Sequence, residues 1–331
     1  MASYDLNDIL RRELWTTEDI NEAPALTNLY NSGILTGDSR IKKIVNSIDV
    51  GTKVEIPFIQ VADYAEPNIS DDTTNKADVN KWNKIRQMAL LGNYNNAWGS
   101  YDIARELDSG KDPYIAIRDF VGQYWAFDIQ HRMASYAIGI LEDNKANDAN
   151  DLYNDQSGNS FTYDMVVDTN ALRGDRGVGG TDFMIMHSKA YASIKKEDAG
   201  RVRAILDNSN GKILYHLYDE RTVIIVDDIM PYDGTNTTVL FANSGAFVYE
   251  ESNNVKNPLM YQRDELIGSG GGHELIISRK RYLLAVNGFS YTGAVQAKST
   301  GATIAELQNK DNHDRVVDKK LSPICFLTFK A

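Results

Sequence analysis

The stretch most suggestive of chemistry is Gly268-Ser269-Gly270-Gly271-Gly272-His273-Glu274. Converging backbone N–H groups of a glycine-rich turn can cradle phosphate, but a nucleotide loop ends in Gly-Lys-Ser/Thr and opens a helix. Here the glycines lead into Leu275-Ile276-Ile277-Ser278, a strand pattern, so residues 268–272 are expected to form a surface loop. His273-Glu274 starts like the HExxH metalloprotease motif, yet Ile277 stands where the second histidine is required. His187-Ser188 are neighbours without a G-x-S-x-G elbow, and Ser188 reads as a helix cap beside a structural histidine. Asp227-Asp228 end an apolar run; paired acids can do acid–base work or bind metal, but the turn that follows favours backbone capping. His131, His216 and His313 have no clustered ligands. Cys325, the single cysteine, cannot close an internal disulfide and sits in an apolar run, as a small buried hydrophobe would. Tyr124, Trp125 and Phe127 read as helix-packing residues rather than a platform for bases. The expectation is no catalytic residue, no cofactor, no metal and no enzyme. A soluble hydrolase or nucleotide-binding enzyme using the loop at 268–272 is the alternative of another class, and nothing else in the chain supports it.

The elements that position these residues point elsewhere. The 331 residues are 42% hydrophobic, enough for a sizeable core. A net charge of −11 argues against a dedicated nucleic-acid binder and keeps a subunit soluble before assembly. The basic clusters Arg11-Arg12, Lys42-Lys43, Lys195-Lys196, Arg279-Lys280-Arg281 and Lys319-Lys320 read as surface charge or inter-subunit pairs. No run approaches the roughly 20 apolar residues of a membrane span, and the first residues lack a secretory pattern, so synthesis in a cytoplasm is expected.

The first fifty residues read as an extended arm with short helices at 6–14 and 25–30. Val54, Ile56 and Phe58 alternate with Lys53, Glu55 and Pro57, and Pro57 confines this strand to an edge. A polar, acidic tip at 66–81 and a returning strand at 85–91 complete a projecting hairpin, marginal unless neighbours hold it. Trp98 and Ser100 are expected to open a short helix, 101–107. Asp112-Pro113 is a strong start signal for a second helix reaching about Leu141, ~45 Å if ~30 residues long. Residues 144–160 read as a polar linker and domain boundary. Strands are expected at 183–186 and 221–227, sheet-rich chain at 239–249 and 274–286, and a helix at 188–195.

Several blocks carry a resemblance. Trp98-x-Ser100-x-Asp102-Ile103-Ala104, then Glu106-Leu107-x-Ser109-Gly110-x-Asp112-Pro113, then Ile117-x3-Val121-x2-Tyr124-Trp125 resemble the lead-in to the spine helix of tailed-phage major capsid proteins. Met186-His187-Ser188-x2-Tyr191-Ala192-x2-Lys195-Lys196 and Val223-Ile224-Ile225-Val226-Asp227-Asp228-x-Met230-Pro231 follow in that family's order. So do Asn287-Gly288-Phe289-Ser290-Tyr291-Thr292, Ala305-Glu306-Leu307 and Asn312-His313-x-Arg315-Val316. The series spans roughly residues 25–330. It departs from the family at His313, where Trp is expected, and at Ala285-Val286, where His-Pro is expected.

The resemblance implies an α+β Hong Kong 97-type phage capsid fold. Its parts would be an N-terminal arm (1–49), an E-loop hairpin and return (50–100), and a P-domain (101–175) with the spine helix at about 113–142. An A-domain (176–275) and late strands shared between the P- and A-domains (276–331) would complete it. The implied function is that of a major capsid protein, self-assembling as pentamers and hexamers into an icosahedral shell around double-stranded DNA. Implied partners are a separate scaffolding protein, expected because no long extension precedes the arm, a portal at one vertex, a possible decoration protein and non-specifically contacted DNA, with no membrane. The implied location is the virion, with assembly in the host cytoplasm. A cellular nanocompartment shell of the same fold is the nearest alternative. Some family members crosslink Lys to Asn between subunits; nothing selects a partner for Lys76, Lys81 or Lys84, so no crosslink is expected.

Overall fold

The computed structural model describes residues 34–37, 39–47, 53–59, 66–70, 84–101, 113–206 and 213–331. The expected helices at 6–14 and 25–30, the hairpin tip at 71–81 with Lys76 and Lys81, and the turn around Gly110-Asp112 lie outside these residues.

In chain order the elements are β1 (Leu35–Thr36), α1 (Ser39–Ser47), β2 (Lys53–Ile59), β3 (Lys84–Tyr101) and α2, the spine helix (Pro113–Asn147). Next come β4 (Tyr153–Ser160), α3 (Tyr163–Ala171), β5 (Phe183–Met186), α4 (Ser188–Glu197), β6 (Val202–Leu206), β7 (Ile213–Tyr218) and β8 (Arg221–Ile225). The chain then forms β9 (Asn236–Ala242), β10 (Phe247–Glu251), β11 (Leu259–Asp264), α5 (Ile267–Gly270) and β12 (His273–Val286). It ends with β13 (Phe289–Tyr291), α6 (Ile304–Leu307), β14 (His313–Arg315) and β15 (Ile324–Lys330).

Two sheets result. In the first, β1, β10, β12, β13 and β14 are neighbours in that order; β11 and β3 also pair with β12, and β2 pairs with β3. The second is mixed, in the order β4, β15, β9, β5, β8, β7, β6. Strand alternation assigns the faces of the first sheet. Leu90, Phe247, Tyr249, Tyr282, Leu284 and Val286 pack in one cluster with the spine helix. Their neighbours Ala89, Leu91, Val248, Leu283 and Ala285 pack with Val54 of β2 and with Ile41 and Val45 of α1. The described part of the arm therefore covers the outer face of its own sheet. The second sheet gives Phe183, Ile185, Leu240, Ala242, Ile324 and Phe326 to the spine-helix cluster. Its other face, Met184, Met186, Val223, Val239, Phe241 and Leu327, is capped by Met165 and Val166 of α3 and Ala190 and Ile194 of α4.

The spine helix is the wall common to both sheets. It begins at Pro113 as expected and runs 35 residues, about 52 Å. Residues 133–137 are all buried, the pattern of a helix enclosed on every side rather than lying on a surface. Gly139 is fixed by a close approach: a Cβ there would sit 2.1 Å from the Leu307 carbonyl oxygen and 2.2 Å from His313 Nε2. Gly139→Ala is therefore expected to lower stability by about 1–3 kcal/mol, measured by denaturant unfolding of the unassembled subunit; wild-type stability would show that α6 yields freely.

Two expectations need correction. Trp98, Ser100 and Tyr101 belong to β3, because β3 continues past Leu91 along β12 until Tyr101 meets His273; the rest of the helix expected there, 102–107, lies outside the described residues. Tyr94 and Trp98, two strand pairs apart, turn the same face toward the spine helix, with Trp98 edge-on to Tyr124 at 5.2 Å. The stretch 144–160 is not a linker. The spine helix continues to Asn147, Asn144 Nδ2 donates to Asp151 Oδ1 (2.9 Å), and the Leu152 N–H donates to Asn144 Oδ1 (3.3 Å), folding the chain back. Residues 153–160 then form β4, polar because this edge strand adds its backbone to β15 and leaves most side chains exposed. The sheet-rich stretch 239–249 is two strands: the turn at Asn243–Ala246 passes the chain from β9 in the second sheet to β10 in the first.

Candidate functional site

The residues flagged for chemistry are dispersed into structural roles. The glycine-rich stretch joins β11 to β12 through the single turn α5, and β12 begins at His273 as expected. Glu274, 2% exposed, lies opposite Arg263 in the β11–β12 register and is ion-paired with it. Arg263 also hydrogen-bonds Glu265 and holds that carboxyl below its usual range. Ser188 is the first residue of α4 rather than its cap. The cap is His187, whose Nδ1 accepts from the Lys189 N–H (3.0 Å), and Asp227 Oδ1 accepts from the Ser188 N–H (2.6 Å). Asp227 thus caps the start of α4, 39 positions away in sequence, where capping of the following turn was expected, while Asp228 meets His131 of the spine helix (3.4 Å). His216 lies against the Tyr191 ring. Burial pushes the Cys325 thiol up to about 11, the state of an inert core residue. Trp125 is buried and donates from Nε1 to Ser278 Oγ (2.9 Å). Phe127, expected to pack, is 54% exposed. Among the described residues no group of three or more His, Cys, Asp or Glu side chains could hold a metal ion.

What the fold does build is a pair of anchors. The first ties the spine helix to the long strands. Asp128 Oδ2 accepts from Arg132 Nε (2.9 Å) one turn away and from the Tyr282 hydroxyl of β12 (2.9 Å). Arg132 donates from Nη1 to the Ala302 carbonyl (2.7 Å) and lies 3.7 Å over the Tyr94 ring of β3. Burial opposes the Arg132 charge, but the Asp128 carboxylate paired with it outweighs burial and holds the guanidinium protonated. Burial, with Asp128 beside it, likewise keeps the Tyr282 phenol protonated.

The second anchor is the root of the β2–β3 hairpin. Strand β3 pairs with β12 only from Leu90 onward, and with β2 from Lys84 to Leu90. At that handover the ladder is replaced by a side chain. Gln87, 3% exposed, donates from Nε2 to the carbonyls of Val286 (2.6 Å) and Phe289 (2.9 Å) and accepts at Oε1 from the Gly288 N–H (3.1 Å). The Met88 N–H donates to Ser290 Oγ (3.0 Å), and Lys53 of β2 donates to the Thr292 carbonyl. Pro57 falls in β2, which pairs with β3 alone among the described residues, the edge position proline requires. The base of the β2–β3 hairpin is thus clamped to β12, β13 and the chain after them by side chains as well as by the ladder.

Over 97% of this chain and 96% of the relative, the sequence is 30% identical to the major capsid protein of Bacillus phage SPP1. The chain belongs to the phage major capsid protein family. Its fold agrees. This capsid protein matches the cyanophage Pam1 capsid asymmetric unit with a TM-score of 0.53, at 11% identity over 100% of this chain and 99% of that one. It matches the capsid of an empty GTA particle with a TM-score of 0.51, at 14% identity over 92% and 89% of the two chains. The α+β architecture is therefore that of Hong Kong 97-type capsid proteins, as the ordered motifs implied. A scan against protein-family models gave no match. The two anchors were not foreseen from the sequence; the available signal for Gln87 was an amide sharing strand parity with the apolar Ala89 and Leu91.

Proposed function

We propose that this capsid protein is the structural subunit of an icosahedral head, assembling with its own copies as pentamers and hexamers around packaged double-stranded DNA, and that it catalyses nothing. The observation that carries this is the relationship to a phage major capsid protein along nearly the whole chain. The clamped hairpin supports it physically: a two-stranded ribbon is marginal alone, and its part beyond the clamped base would gain stability from packing against other chains. Repeating one heterologous contact then closes a shell.

The first sheet with the spine helix and hairpin would serve as the P-domain, and the second sheet with α3 and α4 as the A-domain at the capsomer centre. Because β10 and β11 pair within the first sheet, they are assigned to the P-domain in this scheme. A scaffolding protein, a portal, a decoration protein and the packaged DNA are the partners such a subunit would meet, in the host cytoplasm and then in the virion.

Electron microscopy of purified protein tests the reading. Closed shells or capsomer rings are expected, and a discrete monomer with turnover on a small substrate would overturn it. Shells filled with protein cargo rather than DNA would favour the nanocompartment. Deleting residues 66–81 is expected to leave a folded subunit that assembles poorly; an unfolded monomer would show that the hairpin tip supports its own chain.

A further inference from the structure

The clamp at the hairpin root encloses the most labile covalent link of the β12–β13 turn. Asn287 and Gly288 form that turn, and Asn-Gly is the dipeptide in which a side-chain amide and an unshielded backbone nitrogen lie closest in reactivity. Glycine is required at 288 because φ is +87° and an added Cβ would meet Val317 Cγ2 at 2.6 Å. The residue that makes the turn possible therefore also leaves its nitrogen open to attack Asn287.

In the folded chain both reacting groups are engaged by other partners. The Gly288 N–H donates to Gln87 Oε1 (3.1 Å). The Asn287 carboxamide donates from Nδ2 to the Gly245 carbonyl (2.7 Å), and the Asn287 N–H donates to the Ala246 carbonyl (2.9 Å). On the far side, the Val316 N–H donates to the Gly288 carbonyl (3.0 Å). Asn287 is itself exposed, so water reaches it. Chemistry at this turn is limited by geometry, and that geometry depends on a side chain from β3.

We propose that Asn287-Gly288 is a self-modification site that Gln87 keeps silent while the hairpin root is seated. When Gln87 withdraws, the Gly288 nitrogen gives its proton to solvent base and bonds to Asn287 Cγ. The Cγ–Nδ2 bond breaks, nitrogen leaves as ammonia carrying that proton, and a five-membered succinimide remains. Water then opens either of its two carbonyls, giving aspartate or isoaspartate at 287. No oxidant or reductant is involved. Neither product can donate to the Gly245 carbonyl as the amide did, so the turn does not re-form its original contacts. Conversion leaves a permanent mark on any subunit whose hairpin root has opened.

The test uses the full-length, unassembled subunit in mildly alkaline buffer, with peptide mass mapping and an isoaspartate assay over time. Asn210-Gly211, the same dipeptide elsewhere in the chain, serves as the internal reference. In urea the two sites are expected to convert alike. In the folded wild type, Asn287 is expected to convert at least about tenfold more slowly than in urea, since only open molecules react. Folded Gln87→Ala is expected to recover most of that factor at Asn287 with Asn210 unchanged. Equal conversion of Asn287 in folded and unfolded wild type, or a folded Gln87→Ala no faster than wild type, overturns the proposal. If Gln87→Ala does not fold, hydrogen exchange of the wild-type Gly288 amide decides instead. Protection matching the slowed conversion supports the gate, and exchange at the open-chain rate overturns it.

Discussion

Asp128→Ala is expected to destabilise the unassembled subunit by about 3–5 kcal/mol, because it strips the counter-charge from a guanidinium that stays buried. The side chains of Asp128 and Arg132 are 11% and 12% exposed, so little solvent is available to take over. The Tyr282 hydroxyl loses its acceptor in the same step. Urea unfolding reads the loss as a lower midpoint with an unchanged slope. The decisive comparison is with Asp128→Ala combined with Arg132→Met. Removing the stranded charge as well should recover part of the loss, since a buried pair replaced by apolar groups costs far less than a broken one. If the double variant falls by the sum of the single ones, the two residues are not acting as a pair.

The second large effect is one of pH. His313 is enclosed by Tyr136 of the spine helix, with ring centroids 4.8 Å apart, and by Tyr291 of β13 at 5.7 Å. The Leu307 carbonyl at the end of α6 lies 2.6 Å from Nε2. Burial pushes the imidazole down to about 4 from 6.5, against the smaller pull of the Leu307 carbonyl in the other direction. The unfolded chain therefore takes up this proton before the folded one. The stability contribution is whole above about pH 6.5 and is lost as pH falls toward about 4, amounting to about 3 kcal/mol. Asp143 works in the opposite sense over part of that window: burial raises its carboxyl to about 6, so its folded form binds a proton more tightly than the unfolded chain. The His313 contribution is isolated by subtracting the pH profile of His313→Phe from that of the wild type; the difference should fall by about 3 kcal/mol between pH 6.5 and 4. Parallel profiles would sink the assignment.

Sequence and structure diverge in instructive places. The start of the spine helix was legible because Pro113 fixes φ where an N–H is not needed, and β12 because its first half alternates residue by residue. The extension of β3 was missed because Asn93, Asn95 and Asn96 carry the polarity of a loop, while Tyr94 and Trp98 carry the strand period more faintly. Strand β4 was missed for a related reason: an edge strand held by its backbone needs no apolar face. The departure noted at His313 proves to be an imidazole seated against Gly139, a fit that depends on two segments far apart in sequence. The anchors at Asp128 and Gln87 are likewise long-range. Asp128 meets Tyr282, 154 positions away, and Gln87 meets Phe289, 202 positions away, so of these contacts only the i,i+4 spacing of Asp128 and Arg132 is readable locally.

The covering of the first sheet by α1 limits how such a subunit can share its arm. Ile41 and Val45 fill the outer face over Ala89, Leu91, Val248, Leu283 and Ala285. Each is worth about 1.5–3 kcal/mol when fully buried. A subunit that lent Ser39–Ser47 to a neighbour would bare that face unless it received an equivalent helix in return. Lending at this segment is therefore reciprocal: it can proceed as an exchange around a closed ring, with every chain giving and receiving, and a single one-way donation leaves an adhesive surface behind.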